Sequence, residues 1–285
     1  FNVLCTLVLL PLGGMLEKLV MRLLPEDKKP QREAELDERL LATPALALER
    51  CRTLIADMAS YAMESMRESL GAVLACTPKA AEHIREDEAR TDHYEDIIGS
   101  YLVKLSARKI GEADSTLAAE YLRLIGDFER IADHSVNILE SAEELKNKGI
   151  SFSPAARQEY QIMSAAVQEV TGLAYTAFVT GDIGAARRIE PLEQVIDDLK
   201  EELRTRHIRR MQQGTCGIEA GFIWSDLLTD LERVSDHCSN IACCIVEGID
   251  HNLHRHEVLQ SIRENSASFD ADYAAFREKY ALAAE

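Results

Sequence analysis

From Thr43 onward, apolar residues return at alternating steps of four and three. Leu124, Phe128, Ile131, Ser135, Ile138, Ala142 and Leu145 form one such series, and Leu227, Leu231, Val234, Cys238, Ile241 and Ile245 form another. This is the period of a helix with one face packed into a bundle. Thr43-Pro44, Thr77-Pro78 and Ser153-Pro154 each offer a hydroxyl at a helix start followed by a proline at the first helical position. The proline lacks only an amide hydrogen that the helix end would leave unpaired. Gly149, Gly181/Gly184, Gly214/Gly217 and Gly248 supply stops. The pattern predicts six long helices, about 44–75, 78–109, 115–147, 154–180, 185–213 and 218–247, and a polar tail helix over about 256–283.

An internal repeat organises these helices. Asp127-Phe128-Glu129-Arg130-Ile131-Ala132-Asp133-His134 recurs as Asp230-Leu231-Glu232-Arg233-Val234-Ser235-Asp236-His237, and Asn137-Ile138 recurs as Asn240-Ile241. A fainter echo links Glu88-xxx-Asp92 to Glu193-xxx-Asp197. Helices one to three and four to six therefore read as two copies of one unit. The expected fold is all-α: two pseudo-symmetric three-helix bundles side by side, with an N-terminal apolar helix and a C-terminal tail helix. Residues 1–24 are expected to be the end of a membrane helix, 25–42 a charged linker, 43–147 the first repeat, 148–249 the second and 250–285 a helical tail.

The membrane expectation rests on Phe1 to Leu16, which carry no charge, and on Lys18, Arg22, Lys28, Lys29 and Arg32, which follow at once. Basic residues on that flank place it on the cytoplasmic side, so residues 25–285 are expected in the cytoplasm of a protein cut from the end of a membrane helix. Few glycines and prolines and 6% aromatics argue against sandwiches, barrels and propellers. A net charge of −17 argues against nucleic-acid binding, which needs a basic footprint. Seven cysteines without a CxxC spacing fit a reducing compartment.

The excess of carboxylates matters because of where some of them fall. Residues four apart share a helix face, so Glu129 and Asp133 are neighbours, as are Glu232 and Asp236, Glu88 and Asp92, and Glu193 and Asp197. These pairs lie away from the bundle seam, and Asn137 and Asn240 continue their face by one turn. Gathered acids repel one another, and a multivalent cation reverses the sign. Oxygen ligands suit Mg²⁺, Mn²⁺ and ferric iron, and Zn²⁺ also accepts carboxylate.

DFERIADHSVNI and DLERVSDHCSNI resemble the repeated signature of PhoU-type domains, and EARTD and EQVID resemble that family's other acidic motif. The resemblance covers about 43–248. An apolar start followed by a basic linker is similar to bacterial Na/Pi cotransporter family proteins, which carry a PhoU-like domain after their last membrane helix. The resemblance implies multinuclear metal clusters (iron, zinc, manganese or magnesium) on E/DxxxD motifs at the bundle surface, and control of phosphate uptake. Carried over, the metal ligands are Glu88, Asp92, Glu129, Asp133, Glu193, Asp197, Glu232 and Asp236. Asn137, Asn240, Arg130 and Arg233 are candidates for the shell around them, with helix-surface salt bridges the first expectation for the two arginines. His134 and His237 read as flanking residues. The implied partners are metal ions, the transporter's own membrane domain and a second copy of the chain.

Two other functions compete with this non-enzymatic one. A di-metal carboxylate oxidase would use Glu-x-x-His, and none of the eight histidines has a glutamate three residues before it. A structural adaptor would bear acids that bind nothing. His251, His254 and His256 read as a solvated polar turn, and Cys243-Cys244 as small core-facing residues.

Overall fold

Pro44, Pro78 and Pro154 do open helices, but only two of the three preceding hydroxyls act as caps. Thr77 Oγ1 accepts from the Ala80 amide at 3.2 Å and Ser153 Oγ from the Ala156 amide at 3.2 Å. Thr43 makes no such bond. Its own amide instead donates to the Leu40 carbonyl at 2.8 Å, because a short 3₁₀ helix over Glu38–Ala42 runs directly into the first long helix. The computed structural model describes residues 36–248 and 266–283.

Six long helices follow in order: α1 (Pro44–Ala72), α2 (Pro78–Ser106), α3 (Glu112–Lys148), α4 (Pro154–Thr180), α5 (Ile183–Gln212) and α6 (Ile218–Glu247). Among the described residues there is no strand. Helices α3 and α4 end at Gly149 and Gly181, whose φ of 65° and 69° is the left-handed conformation that glycine adopts without a Cβ penalty. Gly248 caps α6 in ordinary helical geometry, Gly184 lies inside α5, and Gly217 begins α6 rather than ending α5. Asp182 starts α5 by accepting from the Ala185 amide at 3.1 Å.

Helices α1, α2 and α3 pack pairwise into one bundle, and α4, α5 and α6 into a second. The 4-3 seam of α3 is buried at all seven positions from Leu124 to Leu145. That of α6 is buried through Ile241, while Ile245 is half-buried. Cys243 and Cys244 are both buried, as are Cys51 and Cys238. Helix α4 is long and apolar enough to cross a membrane by length and composition, yet Met163, Val167, Val170 and Ala174 on it are fully buried.

Two departures concern the ends of the folded body. The charged linker is not a linker to its last residue: Leu41 is buried, the Tyr101 hydroxyl donates to the Asp37 carbonyl at 3.1 Å, and Lys104 pairs with Glu38 at 2.7 Å. The tail helix, α7 (Ser266–Lys279), is less polar in effect than its composition. Phe276 and Tyr280 are buried, with the Arg188 guanidinium 5.2 Å from the centre of the Phe276 ring. Lys279 pairs with Glu169 of α4 at 2.8 Å, and the Tyr280 hydroxyl donates to the same carboxylate. Residues 1–24, the expected membrane segment, and His251, His254 and His256 lie outside the described residues.

The bundles join mainly through α3 against α6. There the repeated signature makes a reciprocal contact. His134 Nδ1 lies 2.9 Å from Asp230 Oδ1, and His237 Nδ1 lies 2.9 Å from Asp127 Oδ1. A carboxylate can only accept, so both rings carry the proton on Nδ1. The two imidazoles stand 5.7 Å apart between centroids. Asn240 Nδ2 donates to Asp127 at 3.0 Å, and Asn137 Nδ2 to Asp230 at 3.4 Å. Asp127→Ala strands two donors, in a contact where each side chain is more than four-fifths buried. It should cost ~1–3 kcal/mol of stability in urea unfolding, and Asp230→Ala a similar amount. A shift in either midpoint too small to resolve would show that the crossed pairs do not hold the bundles together.

Candidate metal centre

Helix α3 serves three surroundings at once, and the helical period decides which residue faces which. At ~100° per residue, Phe128 and Ile131 turn to the bundle core, and Asp127 and His134 to the α6 seam. Glu129 and Asp133 fall on the remaining side, roughly opposite the seam. Helix α6 repeats the division with Leu231 and Val234, Asp230 and His237, and Glu232 and Asp236.

On that third side the acids of neighbouring helices come together. In the first repeat, burial raises Glu88 of α2 above the ordinary carboxylate range, and the charges of Asp133 on α3 and of Asp92 add to the shift. Glu95, one turn beyond Asp92, is raised by burial and then by Asp92, Asp96 and Asp133. Glu129 is raised furthest, to about 7: its burial comes first, then the charge of Asp133 and a hydrogen bond with it. Glu129 thus keeps its proton to a higher pH than a free carboxyl does. In the second repeat, burial and the charges of Glu232 and Asp236 raise Asp197 of α5, and burial and Glu232 raise Asp236. Asp92 is exposed, and the other seven expected ligands, Glu193 among them, are half-buried.

The arginines lie at the rim. Arg130 stands 3.5 Å from Glu129 and 3.7 Å from Asp133, and Arg233 stands 3.3 Å from Asp236. Both are well exposed, so these pairs contribute little to stability. Asn137 and Asn240 bond across the seam between the bundles. A step of four residues overshoots a full turn by ~40°, so each asparagine drifts round from Asp133 or Asp236 toward the seam, where it bonds Asp230 or Asp127. His134 and His237 belong to that seam as well.

Two members of the patches had no role in the sequence reading. Glu95 follows Asp92 by three residues, a same-face spacing that would have revealed it. The matching position in the second repeat is Lys200, whose Nζ lies 3.0 Å from Glu232 Oε1. The other oxygen, Glu232 Oε2, is buried without a hydrogen-bond partner.

All the donors in these patches are carboxylate oxygens, the ligand type for hard cations. Among the described residues, no group of three or more His, Cys, Asp or Glu side chains is already closed around one point as a single ion would need. Carboxyls raised by burial and then by their neighbours' charge, and a buried oxygen that makes no hydrogen bond, nevertheless fit a cation: each gains a ligand contact when the side chains close on it.

Comparison with known proteins agrees with this architecture. The family model described as "PhoU domain" matches residues 55–142 and 160–245, once per bundle. The "Phosphate-specific transport system accessory protein PhoU homolog 1" of Thermotoga maritima is 30% identical over 150 residues, 53% of this chain and 63% of that protein. The "Putative inorganic phosphate export protein YjbB" of Escherichia coli K12 is 25% identical over 266 residues, 90% of this chain and 48% of that protein. The chain thus spans about half to two-thirds of the length of these relatives. Among solved structures, that of PhoU from Pseudomonas aeruginosa superposes with a TM-score of 0.67 at 22% identity, covering 72% of this chain and 98% of that one. At that identity the likeness concerns the fold.

The raised carboxyls give the pH dependence a definite sign. In the unfolded chain Glu129 releases its proton near pH 4.5, whereas in the folded protein it keeps it to about 7. Across that window the folded state binds more protons, so the stability of metal-free protein should fall as pH rises. Glu129→Gln should flatten the fall by ~1–2 kcal/mol, less than the ~1.4 kcal/mol per pKa unit of a dry site because the rim is solvated. Chelator-treated protein, unfolded in urea from pH 4.5 to 7.5, tests this. An equal slope in both proteins would remove Glu129 from the account.

Proposed function

Because the chain belongs to the PhoU domain family, we propose that it is the cytoplasmic regulatory part of a membrane phosphate transporter, and that metal ions bound by its acidic patches set its working state. The observation that carries the transporter reading is the reach of one similarity. The relative named for phosphate export aligns with 90% of this chain, yet the chain spans only 48% of that relative. The accessory proteins named PhoU align over shorter stretches of it. The domain's partner is then the transporter's own membrane portion, as the apolar residues 1–24 and their basic flank suggest.

The finer form of the proposal is a sodium-dependent transporter that takes phosphate up. The relative's name speaks of export, so the direction of flux is the point to measure. Full-length protein in proteoliposomes, followed with radiolabelled phosphate with and without a sodium gradient, separates the two. Loss of sodium dependence, or outward flux alone, would leave the regulatory domain in place and remove sodium-coupled uptake.

The residues that would hold metal are Glu88, Asp92, Glu129 and Asp133 in the first repeat, and Glu193, Asp197, Glu232 and Asp236 in the second. A bound cation supplies positive charge that relieves the repulsion among them. No reaction is assigned to it. The oxidase alternative is further weakened by the use of His134 and His237 in the crossed pairs.

Metal should select the folded bundle, because the unfolded chain does not gather four carboxylates. At ~100 times its dissociation constant, a single bound ion adds ~2.7 kcal/mol. Asp133→Asn with Asp236→Asn removes one ligand per patch and one source of repulsion. The metal-free double variant should melt no lower than metal-free wild type and should gain much less on adding Mn²⁺. Calorimetry of both proteins with Mn²⁺ and with chelator checks this. Equal gains would reduce these acids to ordinary surface carboxylates.

A further inference from the structure

We propose that the two acidic patches are unequal, and that Lys200 makes them so: its ammonium is a tethered counter-cation in the second patch, leaving the first as the strong metal site. This rests on the metal reading above. The repeats match over Glu88/Glu193 and Asp92/Asp197, and at the next position on the same face Glu95 of α2 meets Lys200 of α5. One position therefore carries a negative charge in one copy and a positive charge in the other.

The geometry shows what each does. Glu95 is half-buried beside Asp92 and Asp133, where it adds a fifth carboxylate to the first patch. Lys200 points into the second patch, with its Nζ 3.0 Å from Glu232 Oε1 and only 21% of its side chain exposed. The ammonium thus reaches from α5 to a carboxylate of α6. An ion entering the first patch meets five carboxylates, with the well-exposed Arg130 at their rim and no lysine among them. In the second it must displace an ammonium and break its ion pair with Glu232, and the displaced cation stays tethered nearby. Glu232 Oε2 is buried and makes no hydrogen bond even with Lys200 in place, with Arg233 Nε 3.9 Å away, so the second patch keeps an oxygen able to accept an ion once the lysine is gone.

Mn²⁺ titrated into the full chain, with bound and free metal separated by electron paramagnetic resonance, reads the difference. Two classes are expected, at least tenfold apart in dissociation constant, which corresponds to ~1.4 kcal/mol. Asp133→Asn should remove the tight class, and Asp236→Asn should spare it. Lys200→Glu should bring the second class to within a few-fold of the first, and Lys200→Met should move it part of the way. Circular dichroism confirms that each variant is helical, and if Lys200→Glu unfolds, Lys200→Met decides. Two equal classes in wild type, loss of the tight class in Asp236→Asn, or a second class unmoved by Lys200→Met would overturn the inequality while metal binding stands. Absence of bound Mn²⁺ in wild type and in both Lys200 variants would overturn the metal reading, and this inference with it.

Discussion

Two imidazole–aspartate contacts, crossed between α3 and α6, are the constraint on which the rest of the arrangement turns. Each joins a residue early in one signature to a residue late in the other. They can form together only if the two helices meet in one register and one orientation. Sliding α6 by a single turn would break both contacts, and the asparagines beside them would lose their acceptors too. Apolar packing alone does not enforce that register, since leucines and isoleucines tolerate small shifts far better than directed hydrogen bonds do.

Register at the seam then dictates where the acids go. Once Asp127 and His134 face α6 and Phe128 and Ile131 face the core, Glu129 and Asp133 have only the side toward α2. Helix α2 brings Glu88, Asp92 and Glu95 to the same place, and the result opposes itself electrostatically. The bundle tolerates this because it is held elsewhere, by the α3 and α6 cores and by the tail clasp on α4 and α5. The patches are therefore built on the stiff parts of the molecule, where ligand positions vary least.

How much of this was legible in the sequence follows from the range of each interaction. Helix boundaries marked by Thr77-Pro78 and Ser153-Pro154 were legible because a cap is local. The seam from Leu124 to Leu145 was legible because periodicity is local too. Thr43 opens its helix without a side-chain cap, because its backbone, reached from the 3₁₀ helix, sits at ψ 84° rather than in the extended geometry of Thr77. The acidic pairs could be found as pairs, but the roles of Asp127 and Asp230 could not, because their partners are about a hundred residues away. Asn137 reaches the seam for a smaller reason: a drift of ~40° per four residues is negligible over one turn and decisive over two. Lys200 was within reach, had the repeats been aligned for differences as well as for matches.

The crossed pairs also bear on how such a chain can change. A reciprocal contact of this kind is what two identical units form about a two-fold axis, where each residue meets its partner twice and any substitution is felt in duplicate. While the units are separate molecules, a lysine introduced into one acidic patch must appear in both. Joining them through the short connection between α3 and α4 removes that obligation. The seam remains near-symmetric because both halves still need it, whereas the surfaces beyond it are free to specialise one at a time.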